Sequence, residues 1–385
     1  MDAIWYYAIG FAIIWLIALI FKDKLVNYGV DVSFPTIMWK TKRLRGLIDR
    51  IANLSPWFWK WFMNLGILIS FGAMIIVSYL LLSSLSTITE TTSVSLVIPG
   101  VDIPGSPIFI PFVYGIIALA TVIIVHEFAH GILARREKVT IKSIGLLLFA
   151  ILPGAFVEPE EDEIKNIKKI PRMRIYAAGS IANFSLAIVA FLIFLLITSF
   201  VIPATFEENG FEIDRVISGT PAHNVLKPGM IMNSINGHNV SDAESYSKAV
   251  STLKPGEMVV VVTNQGTYNF TAGTNPNNKS LGYMGVKAIK NLVVKSDVSN
   301  IFGDQLPWAW FYLREMFKWI FFLNFAVGLF NILPMKPLDG GHLLENLLRY
   351  ALPDNIVNPV ITVLSYFFIF VIAISLIAGL GNGLF

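Results

Sequence analysis

Six stretches of this chain are apolar for long enough to cross a bilayer. No other feature limits the fold as strongly. A helix that spans the hydrocarbon core needs about 20 mostly apolar residues. The runs are 4–21, 66–85, 111–133, 175–202, 317–333 and 356–380; the fifth is the shortest and can be extended back toward Trp308. Composition agrees. Of 385 residues, 55% are hydrophobic and 14% charged, against about 25% charged in soluble proteins. The expected fold class is therefore an α-helical polytopic membrane protein, with the lipid bilayer as its medium. The chain starts Met-Asp-Ala-Ile-Trp, without the basic start and small-residue cleavage site of a secretory signal, so the first run reads as a retained span. The net charge of +3 is small and scattered, which argues against a nucleic-acid partner.

Residues 144–157 form a different kind of apolar stretch. They number 14, are broken by Pro153-Gly154, and are too short to cross. That length suits a re-entrant or interfacial segment. Non-helical backbone at such depth persists only where protein or water satisfies it.

Lysine and arginine set the expected orientation. Residues 22–60 carry eight of them against three acids, residues 86–106 carry none, and residues 134–174 carry nine. Residues 22–60 and 134–174 should then be cytoplasmic and 86–106 external, with both termini outside. The fourth and fifth spans bracket a polar insert, 205–290, which the span count places outside. Strand signals appear in it: 258–263 and 267–271 flank Asn264-Gln265-Gly266, a hairpin pattern, and Asn236-Gly237 marks a second turn.

The chain has no cysteine, so any metal must be held by His, Asp or Glu. It has five histidines: His126, His130, His223, His238 and His342. Two of them lie in His126-Glu127-Phe128-Ala129-His130, inside the third apolar run. On a helix, positions i and i+4 share one face. Two imidazoles so placed can bind one zinc, and the adjacent glutamate can reach the metal-bound water as general base. The plain alternative is a pair of core histidines bonded to neighbours. Depth in a span weighs against it, because ionisable groups there are costly and usually functional. A catalytic zinc wants three protein ligands. Asp339 is the best third candidate, at the expected cytoplasmic end of the fifth span in Asn331-Ile332-Leu333-Pro334-Met335-Lys336-Pro337-Leu338-Asp339-Gly340-Gly341. Alone, Asp-Gly-Gly is only a turn signal.

These motifs, with Pro153-Gly154-Ala155-Phe156-Val157 and Gly179-Ser180-Ile181-Ala182-Asn183 between them, follow the order found in the site-2 protease family, which this chain resembles from the third to the fifth span. The Pro-Gly-Ala-Phe-Val stretch is most similar to the archaeal and eukaryotic branch. The resemblance implies one zinc ion per chain bound by His126, His130 and Asp339, with Glu127 as catalytic base. It also implies a site below the membrane surface on the cytoplasmic side. Asn331 matches a family asparagine that holds the substrate backbone. Gly179 and Asn183 match a Gly-Pro-x-x-Asn pattern in which Ser180 stands here in place of proline. His342 is expected to be structural, and His223 and His238 to lie on the insert surface.

The insert resembles a PDZ domain in Gly219-Thr220-Pro221-Ala222, Leu226-Lys227-Pro228-Gly229-Met230-Ile231 and Ile235-Asn236-Gly237-His238-Asn239-Val240, although Met230 replaces the usual aspartate. Such a domain binds peptides by strand addition, or it acts only as a steric cap. Its sequons at Asn239, Asn269 and Asn278 are compatible with an external position.

The expected function is an intramembrane zinc metalloprotease of the cell membrane. It would cut peptide bonds within or near transmembrane segments of membrane proteins already trimmed by another protease. A helical substrate hides its carbonyls in i→i−4 bonds and must unwind; the segment containing Pro153 and Gly154 is expected to pair with it as an added strand. Two alternatives stand beside this. A proteolytically inactive PDZ-bearing scaffold would have no use for Glu127. A zinc transporter would place its ligands at a repeat interface near the midplane, and the sequence has no visible inverted repeat.

Overall fold

The computed structural model describes residues 3–87, 94–150 and 152–384. Residues 88–93 of the expected external stretch, and Ile151 of the 144–157 segment, lie outside it. In chain order the main elements are α1 (Ala3–Ile20), β1 (Val30–Ser33), β2 (Thr36–Thr41), α2 (Arg45–Leu54), α3 (Pro56–Ser83), α4 (Phe112–Arg136), β3 (Ile141–Phe149), β4 (Leu152–Pro159) and α5 (Lys169–Leu196). Then come β5 (Phe206–Val216), β6 (Ile231–Ile235), β7 (His238–Asn239), α6 (Ala243–Ser251), β8 (Met258–Thr263), β9 (Gly266–Thr271) and β10 (Val286–Val294). Helices α7 (Ala309–Asn331), α8 (Asp339–Leu348) and α9 (Asp354–Leu384) complete the chain. It divides into two units, residues 1–194 with 314–385, and residues 195–313.

Among the described residues, four helices are long and apolar enough to cross a membrane: Pro56–Ser86, Phe112–Arg136, Lys169–Thr205 and Asp354–Gly381. Two of the six expected spans are not among these four. The first corresponds to α1, an 18-residue apolar helix of which Tyr7–Ile20 is fully described. Helix α7 carries Arg314, Glu315 and Lys318 in its first half, where Glu315 pairs with both cations.

The helices of the membrane unit are built inside out. On α3, Leu68 and Ile75 are exposed, while Met63, Gly66, Ser70 and Met74 form a buried stripe at helical spacing. A Cβ on Gly66 would lie 3.1 Å from Ile181 Cγ1 of α5, so small residues let these two helices close up. Buried Arg174 of α5 ties the helices together. It donates to Asn64 of α3 and to Glu137 at the end of α4, each at 2.9 Å.

The 144–157 segment is a β-hairpin. Strands β3 and β4 pair antiparallel in a four-stranded sheet of order β1-β2-β3-β4, with Ile144 opposite Val157 and Leu147 opposite Gly154. Its backbone is therefore satisfied by a ladder on one side, and β4 is an edge strand. The partner hairpin β1–β2 and helix α2 come from the 22–60 stretch, whose charge had marked it only as a cytoplasmic loop. The hairpin tips meet α1: Trp15 Nε1 donates to the Ala150 carbonyl at 2.7 Å and Trp15 packs edge-on against Phe34. One apolar cluster joins Ile48 of α2, Leu133 of α4, Ile144, Val157, Ile175 and Ile181 of α5, and Leu343 of α8, and so fixes the elements that carry the site.

The second unit is a six-stranded antiparallel sheet of order β10-β5-β6-β8-β9, with β7 paired to β6. The two expected turns are present. Asn236 and Gly237, both at positive φ, connect β6 to β7, and Asn264-Gln265 connects β8 to β9. Alternation buries Val259 and Val261 with Ile213, Met232 and Ile235. Asp242 caps α6 by accepting from the Ser245 N–H at 2.9 Å, and this bond holds its carboxyl below the usual range.

Candidate metal centre

Helix α4 places His126 and His130 one turn apart in its C-terminal half, with Glu127 beside them. Asp339 is the first residue of α8. The chain between Asn331 and Asp339 folds back so tightly that a side chain on Gly340 would strike the Ile332 backbone, and one on Gly341 the Met335 backbone. These two glycines thus have a packing role that brings Asp339 under α4.

The three side chains converge. His126 Nε2 and His130 Nε2 are 3.2 Å apart, and Asp339 Oδ2 lies 3.5 Å from the first and 3.4 Å from the second. Ligand atoms at 2.0–2.2 Å from a tetrahedral zinc stand about 3.3–3.6 Å from one another. The trio therefore has the edge lengths of one face of such a tetrahedron, and its donor set of two imidazoles and a carboxylate suits zinc. The side chains keep 13–15% exposure, so the face is sheltered but reachable.

Each of the three side chains has a partner on α5. His130 Nδ1 lies 2.8 Å from the Ile175 carbonyl; a carbonyl only accepts, so Nδ1 carries the proton and Nε2 is left for a metal. His126 Nδ1 faces the Asn183 amide at 3.3 Å, and Ser180 Oγ is 3.5 Å from Asp339 Oδ2. The approach depends on Gly179, where a Cβ would overlap both histidine rings. Glu127 does not join the three. Its Oε2 accepts the backbone N–H of Val157 at 3.1 Å, which ties it to edge strand β4.

The remaining sequence candidates are not members of the cluster. Pro153 and Gly154 lie on β4 toward the hairpin tip, Pro153 exposed. Asn331 ends α7, half-buried, and its amide has no hydrogen bond among the described residues. His342 stacks on Tyr176, with ring centroids 5.1 Å apart, and its Nδ1 lies 3.8 Å from Glu345. His342, with Lys336 and Arg349, lowers the Glu345 carboxyl to about 2.

The sequence pattern of peptidase family M50 matches residues 114–374, from the start of α4 into α9. The chain belongs to peptidase family M50. An uncharacterised protein of Methanocaldococcus jannaschii is 34% identical over 238 residues, covering 60% of this chain and 56% of that protein. A protein of Arabidopsis thaliana, described as a membrane-bound transcription factor site-2 protease homolog, is 27% identical over 143 residues, or 36% of this chain and 27% of its own length. The chain thus spans little over half of one relative and about a quarter of the other. Among solved structures, the PDZ domain of an SdrC-like protein from Listeria monocytogenes is similar to 21% of this chain and 88% of its own, at 16% identity and a TM-score of 0.19.

For this M50 member, the sequence named the three clustered side chains and the glutamate. It missed the Val157 N–H bond to Glu127, because a backbone donor leaves no trace in residue type. It also missed Arg174, whose only signal was a positive charge beside an apolar run.

Proposed function

We propose that this chain is an intramembrane endopeptidase that uses one zinc ion to hydrolyse peptide bonds within or beside the transmembrane segments of other membrane proteins. The observation that carries this reading is the tetrahedral-face spacing of His126, His130 and Asp339, with both histidines on a helix long and apolar enough to span. We take α1 and α7 as the two further crossings. In support, Tyr7 OH of α1 bonds the Pro99 carbonyl while Trp15, eight residues on, bonds Ala150. The metal lies on the cytoplasmic side and the insert outside, by the distribution of basic residues.

A zinc ion at this site would activate a water molecule and polarise the scissile carbonyl. Glu127 is the base. Its Oε2 is held by Val157, and its Oε1 takes the water's proton and returns it to the leaving amine. The substrate helix must open first, because its carbonyls are engaged in i→i−4 bonds. The β4 edge offers replacements. Since the Val157 N–H points away from β3, Ala155 and Pro153 also turn their free backbone groups outward. An unwound stretch can then add as a strand, bringing one of its carbonyls beside Glu127. Asn331, whose amide has no hydrogen bond among the described residues, is positioned by sequence to hold that backbone.

The direct test is cleavage of a destabilised membrane peptide by the protein in proteoliposomes. We expect loss of cleavage with a chelator and recovery with zinc. A preparation holding one zinc per chain that never cuts such peptides would overturn the reading. The insert bears on substrate choice. We expect that replacing residues 205–290 with a short Gly/Ser linker leaves cleavage of a trimmed substrate intact and admits an untrimmed one that the full chain rejects. Loss of trimmed-substrate cleavage in a folded variant would make the insert a docking or support element instead.

A further inference from the structure

We infer that Asn183 is a positioning residue that fixes His126 in its metal-binding tautomer, and that one face of α5 thereby sets the geometry of the whole centre. The inference rests on the zinc reading above. Ile175, Gly179 and Asn183 follow one another at intervals of four on α5 and so share a face. Each meets the histidine pair: Ile175 through its carbonyl, Gly179 by having no side chain, Asn183 through its amide.

His126 directs Nε2 at His130 and Asp339, so Nε2 is the ligand atom. Its Nδ1 must then carry the proton, and the group facing Nδ1 must accept. The Asn183 amide is that group, 3.3 Å away. The end facing Nδ1 is Nδ2, a donor; a half-turn about the last amide bond presents Oδ1 instead, the end that matches an Nδ1–H. Asn183 is fully buried, and its Oδ1, so turned away from His126, has no partner among the described residues. A half-satisfied amide at that depth costs stability. Leucine has about the same shape and would avoid that cost. The amide is therefore a poor choice for packing and a good one for orienting His126. The Gly179 carbonyl also lies against this ring and is the competing acceptor.

The competition can be decided by metal binding, without any assay of cleavage. The full-length protein, stripped of metal in detergent, would be titrated with zinc against a chromophoric chelator, with its melting temperature recorded apo. For Asn183→Leu we expect zinc to bind about 10–100-fold more weakly, the usual effect of losing a ligand's supporting bond, while the apo protein melts no lower than the parent. Asn183→Asp keeps an acceptor toward Nδ1 and should hold zinc within about threefold of the parent. With cobalt in place of zinc, the leucine variant should also lose intensity in the visible bands of a tetrahedral centre. If the leucine variant binds zinc as tightly as the parent, the Gly179 carbonyl suffices and the inference is wrong. It is equally wrong if the aspartate variant is no better than leucine, or if the leucine variant weakens zinc only in proportion to a lowered apo melting temperature. Failure of the parent itself to bind zinc would instead overturn the zinc reading.

Discussion

The two units of this protein treat polar groups in opposite ways. In the insert, Ile213, Met232, Ile235, Val259 and Val261 are fully buried, and polar side chains are spent at turns and caps. In the membrane unit, Leu68, Ile75 and many other large apolar side chains are exposed, while Arg174, Ser180, Asn183, Asn324 and Asn346 are buried. The lipid-facing surface cannot distinguish one apolar residue from another, so the interior of the membrane unit is defined by what does not belong in lipid. Some buried polar residues there close a structural bond, as Asn346 does with the Lys169 carbonyl, and others face the candidate metal centre, as Asn183 does. The same residue types in the insert report only on turns.

The sharpest break of that contrast is Glu127→Gln. It keeps size and hydrogen bonding to Val157 while removing the base. We expect turnover to fall about 10²–10⁴-fold, with zinc still bound near one per chain. Loss of the zinc, or cleavage at the normal rate, would remove Glu127 from the role of base.

Next is Gly179→Ala, a change that adds one methyl group. That methyl would overlap the His126 and His130 rings, so α5 must retreat or the rings must turn. Zinc affinity should fall about 10–100-fold, as when a ligand's supporting shell is disturbed. Titration of the stripped protein reads this directly, and an unchanged affinity would mean that α5 can shift without moving the ligands.

Arg174→Met tests the structural use of a buried polar group. Arg174 and Glu137 are each about 9% exposed and pair at 2.9 Å. Removing the cation leaves a sheltered carboxylate unpaired, which costs about 3–5 kcal/mol. Thermal unfolding in detergent should drop accordingly, and the double change with Glu137→Gln should recover part of the loss. No recovery would mean that the arginine stem, rather than its charge, holds α3, α4 and α5 together.

How legible each region was in sequence follows from the same contrast. The insert's hairpins were readable because Asn236-Gly237 and Asn264-Gln265-Gly266 act locally, through backbone conformations that few residues adopt. The candidate metal cluster was readable because the spacing of His126 and His130 on a helix carries its own geometry. Strands β1 and β2 were not readable. Strand β2 pairs with β3, about a hundred residues away, and Trp39 and Phe34 face outward like residues of an interfacial loop. Four of the six expected spans reappear as long apolar helices; the runs at 4–21 and 317–333 correspond to α1, an 18-residue apolar helix, and to α7, which includes three charges. The outer contacts of the site were half legible: Asn183 stood in a motif, whereas the Ile175 carbonyl and the Val157 N–H belong to the backbone and have no residue signature.

The smallest expected effect is Gly237→Ala, and its value lies beside Gly179→Ala. Gly237 sits at φ +75 in the turn between β6 and β7, and a Cβ there would have nothing within 4 Å. The substitution therefore meets no steric obstacle and carries only the conformational cost of a left-handed alanine, about 1 kcal/mol. The two glycines receive the same methyl group. One lies against the metal ligands and needs space; the other lies in a turn and needs a backbone angle. We expect Gly237→Ala to lower the unfolding temperature of the insert by a few degrees, at about 4–8 °C per kcal/mol for a domain of this size. Zinc affinity should stay within error of the parent, since the turn is a feature of the second unit alone. Hydrogen exchange on β6 and β7, compared with exchange on α4, separates the two outcomes. If exchange rises on α4 as well, or if zinc binding weakens, the units are energetically coupled and the insert contributes to holding the metal centre together.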